Sequence, residues 1–193
     1  AQELKPIRAF EHVYYVQGAP GMATRENRAF NSNAAFVVTP EGVLVFDALG
    51  SPALAQELKR AIATVTRQPV RRVIVSHFHA DHFYGLQSLQ GDGVEIWAHG
   101  AGRGTFGSEF TASRLEQRRR DLAPYVNEQT RLLGADRWLE FKGGEPIAFN
   151  FGGLRMRLID VSGAHSPEDI MLFVEGDGVL LAGDLYFSGR LPF

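Results

Sequence analysis

The chain has 193 residues, 45% of them hydrophobic, enough for one domain with a sizeable core and too few for several. A formal net charge of -2 offers no electrostatic case for nucleic acid, and the absence of cysteine excludes disulfides, thiolate metal sites and a cysteine nucleophile. No apolar run approaches the roughly 20 residues needed to cross a bilayer.

In chain order, residues 12–17 are rich in aromatic and β-branched side chains and predict a strand, with the isolated His12 as a structural histidine. Residues 18–32 carry Gly, Asn and Arg without periodicity and predict a loop. Two apolar runs, 34–38 and 43–46, joined by Thr39-Pro40-Glu41-Gly42, predict a hairpin that ends at the carboxylate of Asp47. Ser51-Pro52 predicts a capped helix through about residue 66. A buried strand is expected over 71–75, a short helix over 83–90 and a strand over 94–98, followed by His99 in a structural role. Leu115, Leu122, Val126 and Leu133 stand at near-heptad spacing, so 112–133 predicts an amphipathic helix pair broken near Pro124, with Arg118-Arg119-Arg120 on its solvated face.

Strands are expected at 147–151 and 154–159, the second alternating apolar with basic residues and so wet on one face. A Gly-flanked loop, Val161-Ser162-Gly163-Ala164-His165-Ser166-Pro167, follows. A further hairpin, 170–174 and 179–182 around Glu175-Gly176-Asp177-Gly178, ends in Gly183-Asp184. It repeats the pattern of the first: apolar strand, acidic Gly-containing turn, apolar strand, carboxylate. The chain therefore reads as a weak internal repeat of β-β-α-β type forming two facing half-sheets, the second of which stops at Phe193 before its counterpart of His77.

Between the strand at 71–75 and the short helix lies Ser76-His77-Phe78-His79-Ala80-Asp81-His82, which holds three of the six histidines. Imidazole and carboxylate without thiolate suit zinc and its neighbours. At a strand end, residues i and i+2 point to the same side, so His77 and His79 can grip one metal ion; as the chain turns, Asp81 and His82 project towards a second position. No serine occupies a G-x-S-x-G turn, so a serine nucleophile is not indicated; Ser76 and Ser166 are expected to orient the metal ligands by hydrogen bonding. Tyr186, Phe187 and Arg190 either line a substrate cleft or pack.

His77-Phe78-His79-Ala80-Asp81-His82, Gly163-Ala164-His165-Ser166-Pro167 and Gly183-Asp184, in that order, resemble the signature of the metallo-β-lactamase superfamily over nearly the whole chain. The resemblance implies an α/β (α+β) fold, a single domain over 1–193 built as an αββα sandwich, with the metal site at one edge between the sheets. It implies His77, His79 and His165 on one metal, Asp81 and His82 on a second, Asp184 bridging the two, and Asp47 as an acidic residue supporting the ligands. The family's last metal histidine has no counterpart before Phe193, so the second half is expected to be truncated, with one zinc ion held firmly and the second site weak. Asp184 stands where lactam-hydrolysing members carry Cys or Ser and where glyoxalase-II-like and lactonase members carry Asp. Residues 33–42 and 189–193 are similar to those of the quinoprotein relay system zinc metallohydrolases, which are exported proteins associated with quinoprotein dehydrogenases.

These residues predict a zinc-dependent hydrolase acting on a carbonyl compound (thioester, lactone, ester or β-lactam), because three imidazoles leave a tetrahedral position open to water whose pKa falls to about 7. Asp81 is the expected catalytic residue, orienting that water and passing its proton to the leaving atom. The alternatives are an iron enzyme resembling persulfide dioxygenases and a non-catalytic accessory protein of a quinoprotein dehydrogenase system. The expected partner is a small-molecule substrate, with no nucleic acid and no membrane span; the substrate itself and the oligomeric state are not specified. The chain opens on Ala1 rather than Met, so a periplasmic or secreted protein freed of a leader is expected, with the cytoplasm as the alternative.

Overall fold

The computed structural model describes residues 4–188. Strands β1 (Ile7–Arg8), β2 (Val13–Val16), β3 (Ala34–Thr39), β4 (Gly42–Phe46), β5 (Val70–Ile74), β6 (Glu95–His99) and β7 (Arg137–Leu139) lie side by side in chain order. Pairing is antiparallel from β1 to β4 and parallel from β4 to β7. The change of sense follows from the connections. Pro40-Glu41 closes a tight hairpin between β3 and β4, whereas each later strand is reached through helical crossovers. These are α1 (Pro52–Val65), then α2 (Ala80–Phe83) and α3 (Leu86–Leu89), then α4 (Gly102–Phe106) and α5 (Glu109–Asp121). Ser51 caps α1 by accepting from Leu54 N–H, with proline in the first turn, as the sequence predicts.

The second sheet holds β8 (Ile147–Phe151), β9 (Leu154–Asp160), β10 (Ile170–Val174) and β11 (Val179–Leu181) in the order β11-β10-β9-β8, all antiparallel. The turn between β8 and β9 is Gly152-Gly153, both at positive φ (54° and 84°), the conformation a two-residue hairpin of this hand requires.

Period-two alternation divides the core into two layers. Val43, Val45, Val73, Ile96 and Ala98 face the helices, where they meet Leu54, Leu58, Ile62, Leu86 and Leu115. Their sequence neighbours Leu44, Phe46, Ile74 and Trp97 face the second sheet and pack on Met156, Leu158, Ile170, Leu172 and Val174. Among the described residues the helices cover the outer face of the first sheet. The outer face of the second is wet, as the alternation in β9 predicts: Arg155 and Arg157 are exposed and pair with Glu175.

Three expectations are corrected. Residues 112–133 are not a helix pair: α5 starts at Ser108, which accepts from Thr111 N–H, and ends at Asp121. Beyond it Pro124 removes a donor and Asn127 bonds its own neighbourhood, accepting from Gln129 N–H and donating to Pro124 C=O. The apolar spacing persists because Leu122 and Val126 are buried from a turn rather than a helix. The short helix expected at 83–90 is confined to Leu86–Leu89, parted from α2 by Tyr84 and Gly85, at the second of which a Cβ would lie 1.9 Å from the Ala48 carbonyl oxygen. The arginine triplet is not one solvated face. Arg119 donates to the carbonyls of Asn127 and Thr130, and Arg118 lines a cavity. His12 is structural, as expected: its backbone N–H and Nδ1 meet the Asp177 carboxylate at 2.7 and 2.8 Å, tying the first sheet to the turn of the second hairpin.

Leu44 is fully buried between the sheets. Leu44→Ala is expected to lower unfolding free energy by about 2–5 kcal/mol, read from urea denaturation.

Candidate metal centre

The site grows from the carboxyl end of β4. Asp47 is buried and left-handed (φ 68°), with Leu49 two residues on in the same region (φ 65°). Such backbone costs about 1–3 kcal/mol for a bulky residue and persists only where the surroundings over-determine it. Here they do. Asp47 N–H bonds the Ile74 carbonyl, Ala48 N–H the His82 carbonyl and Gly85 N–H the Leu49 carbonyl, so the turn is laced to both ends of the histidine-rich segment.

The Asp47 carboxylate accepts three hydrogen bonds. Ser76 N–H donates to Oδ1 (2.7 Å), Ser76 Oγ–H to Oδ2 (2.7 Å) and His82 Nδ1–H to Oδ2 (2.8 Å). Ser76 Oγ also lies 2.9 Å from His77 Nδ1. Since the serine hydrogen is engaged by the carboxylate, His77 Nδ1 carries the proton and donates to Oγ. One buried carboxylate thus sets the tautomer of His77 through Ser76 and that of His82 directly, leaving both Nε2 lone pairs facing inward.

Both Nε2 atoms are cut off from solvent; that of His77 makes no hydrogen bond among the described residues, and that of His82 meets the Asp184 carboxylate at 3.2 Å. Buried polar atoms are rarely left without partners, so the orphaned His77 nitrogen calls for a missing one. Around them the ligand atoms of His77, His79 and His165 lie within 4.8 Å of one another, and so do those of His77, His82 and Asp184. His165 Nε2 stands 3.0 Å from His79 Nδ1, close to the ~3.3 Å between two nitrogens on one tetrahedral zinc. Asp184 Oδ1 is 3.2 Å from His82 Nε2, and Oδ2 is 3.8 Å from His165 Nε2, so this carboxylate spans the two groups. Asp81 Oδ2 lies 3.8 Å from His82 Nε2 and accepts from Asn31 Nδ2 at 2.9 Å. The donor set and the orphaned His77 nitrogen fit a divalent metal.

Electrostatics divides the histidines. Burial, then the neighbouring imidazoles of His82, His79 and His165, hold His77 well below the ordinary histidine range. His79, at the mouth, is lowered by the same two causes. For His82 burial again opposes the charge, but the carboxylates of Asp47, Asp81 and Asp184 outweigh it and hold the group well above its usual value. Burial raises Asp184, but its hydrogen bond to His82 and the imidazoles of His82, His165 and His79 bring it below the usual carboxylate value.

The second sheet delivers the remaining groups. His165 sits on the loop after β9, and Asp184 in the turn after β11. That loop is stapled by Asp169, which accepts from the backbone N–H groups of His165 and Ser166 and from Ser166 Oγ. Ser166 therefore acts on the loop through Asp169, which also holds the His165 backbone N–H. Glu168, also buried, joins the sheets by accepting from Phe78 N–H (3.1 Å) and Thr105 Oγ1 (2.8 Å). Glu168 and Asp169 escaped the sequence reading because nothing in the Glu-Asp pair announces burial. His99 stays structural, as expected: it stacks on Phe141 and lies 3.3 Å from Asp160.

A cavity of about 380 Å³ opens beside this cluster, bordered by His79, Asp81, His165 and Asp184. Phe187 lines it, while Tyr186 is largely exposed and Arg190 falls outside the described residues. Tyr84 borders it too; burial pushes its hydroxyl up to about 12, against the pull of Arg118 and Arg114.

Two stacked sheets with helices on one, and a cluster of histidines and carboxylates at their shared edge that could hold a metal ion, define the class of domain. The family model of the metallo-beta-lactamase superfamily matches residues 27–193, and the chain belongs to that superfamily. The alpha subunit of 2,4-dinitroanisole O-demethylase from Nocardioides sp. (strain JS1661) is 26% identical over 149 residues, which is 77% of this chain and 39% of that subunit. Among solved structures, a double mutant of the sec-alkyl sulfatase PisA1 (Pseudomonas sp.) superposes with a TM-score of 0.66 at 17% identity, over 92% of this chain and 30% of the sulfatase. The metallo-beta-lactamase FIM-1 from Pseudomonas aeruginosa, in its mono-zinc form, gives 0.65 at 14% identity over 93% of this chain and 68% of that one. The chain thus spans well under half of the demethylase subunit and of the sulfatase, and the structural likenesses show the fold alone.

Asp47→Ala leaves Ser76 N–H, Ser76 Oγ and His82 Nδ1 without their acceptor, so zinc affinity is expected to fall about 10–100-fold in chelator competition. The carboxylates of Asp47, Asp81 and Asp184 hold His82 above its usual value, so binding a metal there displaces a proton. Affinity at the His77–His82–Asp184 group should therefore rise with pH, with proton release, while the His77–His79–His165 group changes less; titration in buffers of differing ionisation heat reads this.

Proposed function

We propose that the chain carries the active centre of a zinc-dependent hydrolase acting on a carbonyl compound such as a thioester, lactone, ester or β-lactam. The observation that carries this reading is the convergence of ring nitrogens, that of His77 unpartnered, and two carboxylates beside a cavity of small-molecule size. His77, His79 and His165 would hold one ion, and His82, Asp184 and Asp81 a second. A bound zinc would supply Lewis acidity and lower the pKa of a water to about 7. The protein's own part follows from its geometry. Asp47 and Ser76 keep the imidazoles in the metal-accepting tautomer, and Asn31 orients Asp81 by donating to Oδ2. Asp81, lining the cavity, accepts a proton from the attacking water and returns it to the leaving atom.

Zinc is proposed over iron because imidazole and carboxylate donors serve both, and the hydrolytic reading needs no redox change. The 26% identical relative is named as an O-demethylase, which puts an aryl methyl ether on the substrate panel beside the carbonyl compounds. The similarity of residues 33–42 to the quinoprotein relay group supports export to the periplasm, which fractionation of expressing cells would test.

Metal analysis of the purified chain should find zinc, and Asp81→Asn should lower the rate on the best panel substrate by about 10²–10⁴. Hydrolysis surviving within a few-fold removes Asp81 from the proton path; iron with oxygen uptake removes the hydrolase.

A further inference from the structure

Part of the cavity wall is built by α5, and its chemistry differs from that of the metal-type cluster. Arg114 and Arg118, four residues apart and so on one helix face, both line it. Neither forms an ion pair with any carboxylate among the described residues, unlike Arg28, Arg72, Arg119, Arg155 and Arg157. Arg118 Nε is shielded from solvent with no hydrogen-bond partner, and so is the Tyr84 hydroxyl on the same wall. Donors left unpaired in a cavity wall are stabilised only by what enters it. Arg114 is steadied by Gln117 Oε1 (3.1 Å) and lies 5.7 Å from the centre of the Phe110 ring, so its charge is positioned rather than neutralised.

Much of the remaining wall is apolar. Phe78 and Phe83 are buried, whereas Met22 and Phe110 are 59% and 68% exposed. Large exposed apolar side chains lining a cavity are covered when a ligand with an apolar body occupies it.

We propose that Arg114 and Arg118 form a subsite for an anionic group, so that the substrate is an amphiphilic organic anion: an apolar or aromatic body with a carboxylate, sulfate or phosphate separate from the bond that reacts. The word substrate rests on the hydrolytic reading of the metal centre; the anion subsite itself does not. Guanidinium pairs suit such oxyanions by parallel N–H donation, and the Tyr84 hydroxyl adds a further donor.

The test is calorimetric binding of sodium octanoate and of the neutral isostere octanamide to the purified full chain. Octanoate is expected to bind about 10–100-fold more tightly than octanamide, the range for charge-assisted hydrogen bonds. The double variant R114Q/R118Q should remove that preference while leaving octanamide within about twofold, and R114K/R118K should restore part of it. Equal affinity for the two probes, or octanoate preference surviving R114Q/R118Q, overturns the subsite. Octanoate binding lost in H79A but kept in R114Q/R118Q overturns it as well, by placing the carboxylate at the metal-type cluster. Octanoate binding intact in a protein that hydrolyses nothing on the panel upholds the subsite and removes the hydrolase reading.

Discussion

A single buried carboxylate, that of Asp47, holds the end of β4 to the segment after β5 and determines which nitrogen of two histidines faces inward. Its hydrogen bonds go to Ser76 N–H, Ser76 Oγ and His82 Nδ1, all shorter than 2.9 Å. Burying a charge is costly unless it is paired and bonded, so these donors are also what lets Asp47 remain in the core. The left-handed backbone at Asp47 and Leu49 is part of the same arrangement, because it brings Ala48 N–H onto the His82 carbonyl. Conformational strain in the turn and pre-orientation of the imidazoles are one device.

The sheets supply the frame. Asp47 leaves the end of β4 and the histidine-rich segment the end of β5, two parallel neighbours, while His165 and Asp184 leave the ends of β9 and β11, which run alike because β10 lies between them. All the metal-type groups therefore emerge along one edge. Ile170 N–H donates to the Ser76 carbonyl (3.0 Å) and Phe78 N–H to Glu168 Oε1, so the two sheets are bonded to each other directly behind the cluster. Apolar packing brings the sheets together, and these polar links set their register at the edge where ligand spacing matters.

The cavity joins two electrostatic environments. Asp81 and Asp184 belong to the metal-type cluster, whereas Arg114 and Arg118 come from α5, and aromatic side chains share the lining with them. The loop before β3 and the helix α5 both border it, through Met22 and Asn31 from one and Phe110 from the other.

What the sequence by itself determined was local. The hairpins, the capped α1 and the dense run from His77 to His82 are governed by contacts within a few residues, where apolar period, proline and glycine placement and ligand spacing act directly. The resemblance extended this to His165 and Asp184, which no spacing rule connects to position 77. The helix pair over 112–133 was misread because apolar spacing records burial and not backbone form, and Leu122 and Val126 are buried from a turn. Tertiary structure decided the rest: that Ser166 serves Asp169, that Glu168 bridges the sheets, and that Arg118 leaves its neighbours to face the cavity. Those outcomes depend on which side of a distant element a side chain meets, and that is set only when the two sheets and α5 close on one another.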